Sequence, residues 1–316
     1  MNSYMLIDCL AGLKLLPDNS VQCVITSPPY NKRGLHNGLL FPGQIVYDEY
    51  DDNMNEDEYE KWQIEILIEI NRILKPDGSL FYNHKDRRFR KKDYPPEVFL
   101  SKSPLTLYQT IIWDKGVTAC QNPMFFRPTA EKIFWLIKSS PTNSRTIKFY
   151  RHRLPVSFQG CTWKISPEKN VKHPAPFPLI LPELCILATT DENDLILDPF
   201  AGSGTTLIAA HNLKRNYLGF DLSRQYQKLF NQRLIQLNNN IQLWKQDFTV
   251  EKILNKRIRN GSIEYLLKWK GFDETENTVK KNIFFYEIFS LFLKFHLNSL
   301  VDKRRESQLF RFNCRL

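Results

Sequence analysis

The chain has 316 residues, 42% of them hydrophobic and 25% charged, with 44 Lys+Arg against 34 Asp+Glu for a net charge of +10; these proportions exclude wholesale disorder and collagen-like order. Residues 1–20 show no basic-then-apolar leader pattern and nothing before residue 279 runs 18 apolar residues, so the main body is expected to be neither secreted nor membrane-spanning. The six cysteines lie far apart with no CxxC pair, which predicts reduced thiols, no disulfide framework and no metal site.

Val21–Thr26 is a short apolar run suited to a buried strand, and Thr26-Ser27-Pro28-Pro29-Tyr30 stands where it ends. Two prolines make a rigid elbow, and their carbonyls act as pure acceptors because proline has no amide hydrogen. Ser27 and the Pro28 carbonyl can together accept both hydrogens of an exocyclic NH2 group, and Tyr30 offers a ring face to a base. The plain alternative is a proline-rich loop end. Tyr59, Trp62, Ile66, Ile70, Ile73 and Leu74 recur at helical spacing, and Lys75-Pro76-Asp77-Gly78 predicts a turn that stops the helix before a strand over Ser79–Tyr82.

Charge then changes sign. Residues 1–84 carry 6 basic and 13 acidic side chains, whereas residues 85–172 carry 18 basic and 6 acidic. A basic centre beside an acidic flank suits a polyanion contact, and equally a solvated basic surface. Leu107–Trp113 and Lys132–Ile137 read as two further strands. Leu195–Leu197 predicts a strand that enters the Gly-rich turn Asp198-Pro199-Phe200-Ala201-Gly202-Ser203-Gly204-Thr205-Thr206, with a helix from Thr205. Gly202 and Gly204 allow a tight turn and close approach of backbone to a ligand. Asp221 ends the following strand, Tyr217–Phe220, where a carboxylate can accept both hydroxyls of a ribose. No Lys-Ser/Thr pair follows the glycines, so a phosphate-gripping loop is not expected. Ser223 predicts the cap of a helix running to about Leu237. Such strand–helix alternation predicts a doubly wound α/β sheet over residues 1–237. Asn238-Asn239-Asn240 reads as a boundary, with a linker over 238–247. Beyond it, Thr249–Arg259 and Ile263–Trp269 are strand-like and joined by Asn260-Gly261, a strong hairpin signal.

Together the two motifs of the large domain resemble the amino-methyltransferases of DNA, over roughly residues 1–237. The resemblance implies a Rossmann-like α/β fold that uses S-adenosylmethionine to methylate an exocyclic base amine in double-stranded DNA. Asp198, Pro199, Phe200, Ala201, Gly202, Ser203, Gly204, Thr205 and Thr206 match the cofactor loop. Asp221 then serves the ribose, and Asp8 matches the acid near the cofactor adenine. His173-Pro174-Ala175-Pro176-Phe177-Pro178 matches the wall of the methionine end. Ser27, Pro28, Pro29 and Tyr30 match the catalytic tetrapeptide. With the catalytic motif first and the cofactor loop later, the order is the circularly permuted one of the β group. That places a recognition region at about 138–172, whose Arg145, Lys148, Arg151, Arg153, Lys164, Lys169 and Lys172 are expected to contact phosphates. Ser before the two prolines accompanies cytosine-N4 more often in this family, and Asp or Asn accompanies adenine-N6. The expectation is therefore a cytosine-N4 enzyme, with adenine-N6 as the alternative. Methylation at carbon-5 needs a Cys nucleophile, typically after Pro, and no Cys here follows a Pro.

From Phe248 through Phe272 to Asn277-Thr278 the chain resembles a chromodomain, with a core at 248–278. The resemblance implies a curved three-stranded sheet that takes a methylated histone tail, in particular of H3, as an added strand. Phe248, Trp269 and Phe272 fall on the positions of a methyl-lysine cage, held by cation–π attraction; alternatively these rings are the core of a small barrel. The two parts in this order are similar to the chromodomain-bearing cytosine-N4 methyltransferases of bdelloid rotifers, which implies a nuclear enzyme. A non-catalytic chromatin reader is the competing reading. Arg87-Arg88-Phe89-Arg90-Lys91-Lys92 suits a nuclear signal, a DNA-facing strand edge or a solvated surface. The tail, 279–316, lacks the Trp-Glu-Pro and packing helix that usually close a chromodomain. It reads either as the translation of a retained intron or as a divergent helix over Phe284–Leu297.

Overall fold

The computed structural model describes residues 2–31, 52–89, 92–116, 126, 128–138, 147–167, 178–247, 250–259, 262–269 and 278–281. It divides into two units, Met1–Ile235 and Gln236–Leu316.

The first unit opens with β1 (Asn2–Leu6), then α1 (Cys9–Lys14) and β2 (Val21–Thr26). Asp8 starts α1 by accepting the Leu10 and Ala11 amides at 3.0 and 3.1 Å. Helix α2 (Glu56–Ile73) begins at Asn55, and Glu56, Asp57 and Glu58 in its first turn complement the positive end of its dipole. Its buried stripe of Tyr59, Gln63, Ile66, Leu67, Ile70 and Ile73 is the predicted apolar face. Strand β3 (Leu74–His84) follows at once. Lys75–Gly78 does not form a separate turn: Val21 pairs with Leu74 and Cys23 with Ser79, so the segment swells out of the strand as a bulge.

A two-stranded hairpin of β4 (Arg87–Phe89) and β5 (Lys92–Tyr94) leads to the short α3 (Glu97–Leu100). Next come β6 (Leu105–Asp114), β7 (Ala130–Lys138), the three-residue β8 (Thr162–Lys164) and α4 (Ile180–Thr189). Then follow β9 (Leu195–Asp198), α5 (Thr205–Asn212), β10 (Asn216–Asp221) and α6 (Arg224–Asp247). One eight-stranded sheet runs in the order β1-β10-β9-β2-β3-β7-β6-β8. The first five strands are parallel, β7 is antiparallel to both its neighbours, and β8 runs parallel to β6. Every residue of β2 is buried, as expected of a central strand covered on both faces. On one face Leu13, Ile66, Ile70, Phe99 and Leu100 pack with Val24, Leu80, Tyr82, Phe134 and Phe220. The chain leaves β9 for β10 on one side, whereas β2 leads to β3 on the other. Their carboxyl ends therefore flank the point at which an open α/β sheet forms its ligand crevice.

Helix α6 outlasts its predicted end near Leu237. It continues through Asn238-Asn239-Asn240 to Asp247, so the segment expected as a linker is helical. No Gly or Pro interrupts it, and Asn costs a helix only a few tenths of a kcal/mol.

In the second unit β11 (Val250–Arg259), β12 (Ser262–Trp269) and β13 (Thr278–Lys281) form an antiparallel sheet in that order. Arg259 pairs with Ser262, the register of a two-residue connection across the predicted Asn260-Gly261. Leu266 pairs with Val279 and Tyr265 with Lys280, so the first residues of the predicted tail belong to the third strand. Phe248, Phe272 and residues 282–316 lie outside the described residues, and Trp269 ends β12 opposite Val250.

Candidate active site

The two sequence motifs meet side by side. Thr26 ends β2 and donates its hydroxyl to Asp198 Oδ1 at 2.8 Å, joining the base of the SPPY elbow to the base of the Gly-rich loop. Thr206 donates to Asp198 Oδ2 at 2.7 Å and the Phe200 amide to Oδ1 at 3.1 Å. Burial pushes the Asp198 carboxyl up to about 6, although the hydrogen bonds from Thr206, Thr26 and Phe200 pull the other way. Asp198 thus supports the loop from beneath.

The loop is held from three further directions. Asp221, at the end of β10, accepts the Gly202 amide at 2.9 Å and the Ser223 amide at 2.9 Å. Tyr4 of β1 donates to the Gly202 carbonyl at 2.8 Å and stacks on Phe230 of α6, their centroids 5.3 Å apart. Arg233 of α6 donates to the Ser203 carbonyl at 2.7 Å and to the Ser203 and Thr205 hydroxyls at 3.1 Å each. Neither Tyr4 nor Arg233 was singled out from sequence. Gly204 has a φ of 76°, and a Cβ there would overlap the Phe230 ring, so this position demands glycine. Pro199, Ala201, Ser203, Gly204, Thr205 and Thr206 are buried, while Phe200, Gly202 and Asp221 stay partly open. Asp8 is exposed just beyond β1, whose Leu6 pairs with Asp221, so both carboxylates sit on one edge of the sheet.

Around the elbow the structure brings together residues that the motif alone did not name. Ser27 Oγ lies 2.9 Å from Tyr30 Oη, and Tyr30 donates to Asn83 Oδ1 at 2.9 Å, with Glu131 Oε2 at 3.4 Å. Lys115 Nζ holds the other Glu131 oxygen at 2.8 Å. Tyr59 donates to the Pro29 carbonyl at 2.8 Å, and its Oη is 2.9 Å from His84 Nε2. Asn83, His84 and Lys85 mark the end of β3, and burial lowers the Lys85 ammonium below its ordinary value. The signal available in sequence was a polar triplet ending an apolar strand. Pro28 and Pro29 are buried, and Tyr30 is only 7% exposed, with His84 against one ring face at a centroid distance of 4.4 Å. The open stacking face expected of Tyr30 is therefore mostly covered, and its hydroxyl serves Ser27 instead.

Two of the expected phosphate contacts are instead engaged by nearby acids. Lys148 pairs with Asp191 and Asp194 at 3.3 Å each, and Arg153 with Asp191 at 2.9 Å. Asp194 precedes β9, whereas Asp198 ends it, so these two bases anchor the sheet edge opposite the site. Lys164, by contrast, is exposed and pairs in register with Asp114 at the carboxyl end of β6, on the site edge. Arg145, Lys169, Lys172 and His173–Phe177 lie outside the described residues. Arg87 of the basic run is not a solvated charge: it grips Glu56 with two bonds of 2.8 and 2.9 Å and lies 4.7 Å above the Tyr59 ring. Among the described residues, no group of His, Cys, Asp and Glu is placed to hold a metal ion, and no helix is long and apolar enough to cross a membrane.

The sequence model of the family described as DNA methylase matches residues 21–232, and that of the chromo (chromatin organisation modifier) domain matches residues 248–280. The Type II methyltransferase M.BglII of Bacillus subtilis is 29% identical over 255 residues, 69% of this chain; the chain spans 65% of that relative's length. The DNA adenine methyltransferase YhdJ of Escherichia coli (strain K12) is 26% identical, covering 72% of this chain and 80% of its own. Among solved structures, the Thermus thermophilus protein TTHA0409 in complex with S-adenosylmethionine superposes with a TM-score of 0.55 at 27% identity, over 75% of this chain and 95% of that one.

Proposed function

This chain belongs to the DNA methylase family, and from that membership we propose that it transfers a methyl group from S-adenosylmethionine to the N4 amine of cytosine in double-stranded DNA. The observation that carries the reading is the Thr26–Asp198 hydrogen bond, which fixes an elbow of hydrogen-bond acceptors beside a Gly-rich loop.

The donor set at the loop fits the cofactor. Partly open Gly202 and Asp221 and exposed Asp8 offer backbone and two carboxylates at the sheet edge, with no cation after the glycines to grip a phosphate. Asp221 has acceptor capacity for ribose hydroxyls beside its two amide bonds, and Phe200 lends a ring, itself edge-on to Trp62 at 5.6 Å. When bound, S-adenosylmethionine supplies an electrophilic sulfonium methyl. Across the junction, Ser27 and the Pro28 carbonyl accept the hydrogens of the target amine. That localises on nitrogen a lone pair otherwise delocalised into the ring, so the protein contributes chiefly alignment. The base must leave the duplex to arrive there, at a cost of about a few kcal/mol.

Cytosine is the reading because Ser before the two prolines, here Ser27, more often accompanies N4 chemistry in the family this chain resembles. Adenine-N6 is the second reading, favoured by the likeness to YhdJ. The match at 248–280 supports a further part of the proposal, recognition of a methylated H3 tail through Phe248, Trp269 and Phe272, and with it the proposal places the enzyme's action in the nucleus. Incubation of the full chain with tritiated S-adenosylmethionine and unmethylated duplex DNA tests the activity. Label in the DNA is the expected result, and its absence would leave the chromatin-reader reading.

A further inference from the structure

A serine hydroxyl can donate or accept, so Ser27 alone does not fix what it presents to a base; its neighbours do. Asn83 is buried at the end of β3, and its Nδ2 donates to the Lys132 carbonyl at 3.0 Å. Turning the amide over would set Oδ1 against that carbonyl oxygen, so Oδ1 faces Tyr30. Tyr30 has one proton, and both Asn83 Oδ1 at 2.9 Å and the Glu131 carboxylate at 3.4 Å can only receive it. The 2.9 Å contact between Ser27 and Tyr30 is then a bond in which Ser27 donates. The reverse arrangement would leave the buried Asn83 oxygen without its proton, an unsatisfied acceptor that burial penalises.

We propose that Asn83 and the Tyr30 hydroxyl are positioning residues that commit the Ser27 proton inward, leaving Ser27 Oγ an acceptor on its partly open side. The target must then bring an N–H to that point. A base carrying an amino group is admitted, and one carrying a keto oxygen in the same place is repelled. The inference rests on the proposed amine methylation and names how its substrate class is chosen.

Tyr30→Phe keeps the ring and removes the centre of the relay. Methyl transfer to unmethylated duplex DNA is measured for the wild type, Tyr30→Phe, Ser27→Ala and the double variant, with thermal melts to confirm folding. Tyr30→Phe should lower kcat roughly tenfold with little change in KM for S-adenosylmethionine, and should add no further loss in the Ser27→Ala background. Asn83→Leu should likewise cost turnover in the wild type and nothing more beside Tyr30→Phe. An active wild type with an unaffected Tyr30→Phe, or losses that multiply in the Ser27→Ala background, would overturn the relay alone. A wild type that transfers no methyl group would remove the proposed function, and the relay with it.

Discussion

Thr26→Val is the most informative single substitution. The two side chains are nearly the same size, so no cavity opens, but a methyl replaces the hydroxyl that donates to buried Asp198 at 2.8 Å. Hydrogen bonds to charged groups contribute about 1.5–3 kcal/mol, and that is the expected loss at pH 8. Asp198 already sits at about 6 through burial, with Thr206 and Thr26 holding it down; without Thr26 it rises further. The folded wild type then binds fewer protons than the folded variant around pH 6. The stability gap therefore widens with rising pH and narrows toward pH 5, where the wild-type carboxyl is itself protonated. Urea midpoints at pH 5 and pH 8 read this directly. Turnover should fall about tenfold or more, because the elbow loses its tie to the loop. Thr206→Val removes an equivalent bond to Asp198 at 2.7 Å but spares that tie, so it should match the stability loss with a smaller effect on turnover. Equal turnover losses in both variants, or a gap that widens toward pH 5, would refute the reasoning.

Asp198→Asn should abolish a titration. The folded carboxyl at about 6 against an ordinary 3.8 means that the wild type loses about 3 kcal/mol in all as pH rises from about 3 to about 7, a slope absent from the variant in pH-dependent melts. Gly204→Ala should destabilise by about 2–4 kcal/mol, since a left-handed φ and the Phe230 ring both oppose a Cβ; an unchanged melting temperature would contradict the loop geometry. Asp221→Asn should weaken S-adenosylmethionine binding about tenfold by calorimetry, through loss of a charged acceptor. Lys148→Ala should leave the salt slope of DNA binding unchanged because Lys148 is spent on Asp191 and Asp194, whereas Lys164→Ala should reduce it by about one.

The central strands were legible because burial on both faces writes them as apolar runs, and β2 and β9 fall where Val21–Thr26 and Leu195–Leu197 placed them. The elbow and the Gly-rich loop were legible for a related reason: prolines and glycines declare local backbone geometry. What the sequence hid is long-range. Tyr4 and Arg233 act on the loop across 198 and 30 residues of chain, and nothing near them in sequence announces it. Asn83 is an ordinary polar residue until β3 pairs with β7 and aims its amide at Lys132. Charge misled where it was paired: Arg87, Lys148 and Arg153 count toward the basic stretch, yet each neutralises a nearby acid. Strand β8, three residues long, offers too little periodicity to be read at all.

The proposed reaction is methylation of a cytosine amine at the joined elbow and loop. Incubating the full chain with unmethylated duplex DNA and S-adenosylmethionine bearing a trideuterated methyl, then digesting to nucleosides for mass spectrometry, tests it most directly. Labelled N4-methylcytosine, lost in Ser27→Ala, is the predicted product. Label on adenine N6 alone, on cytosine carbon-5, or on no base would contradict it.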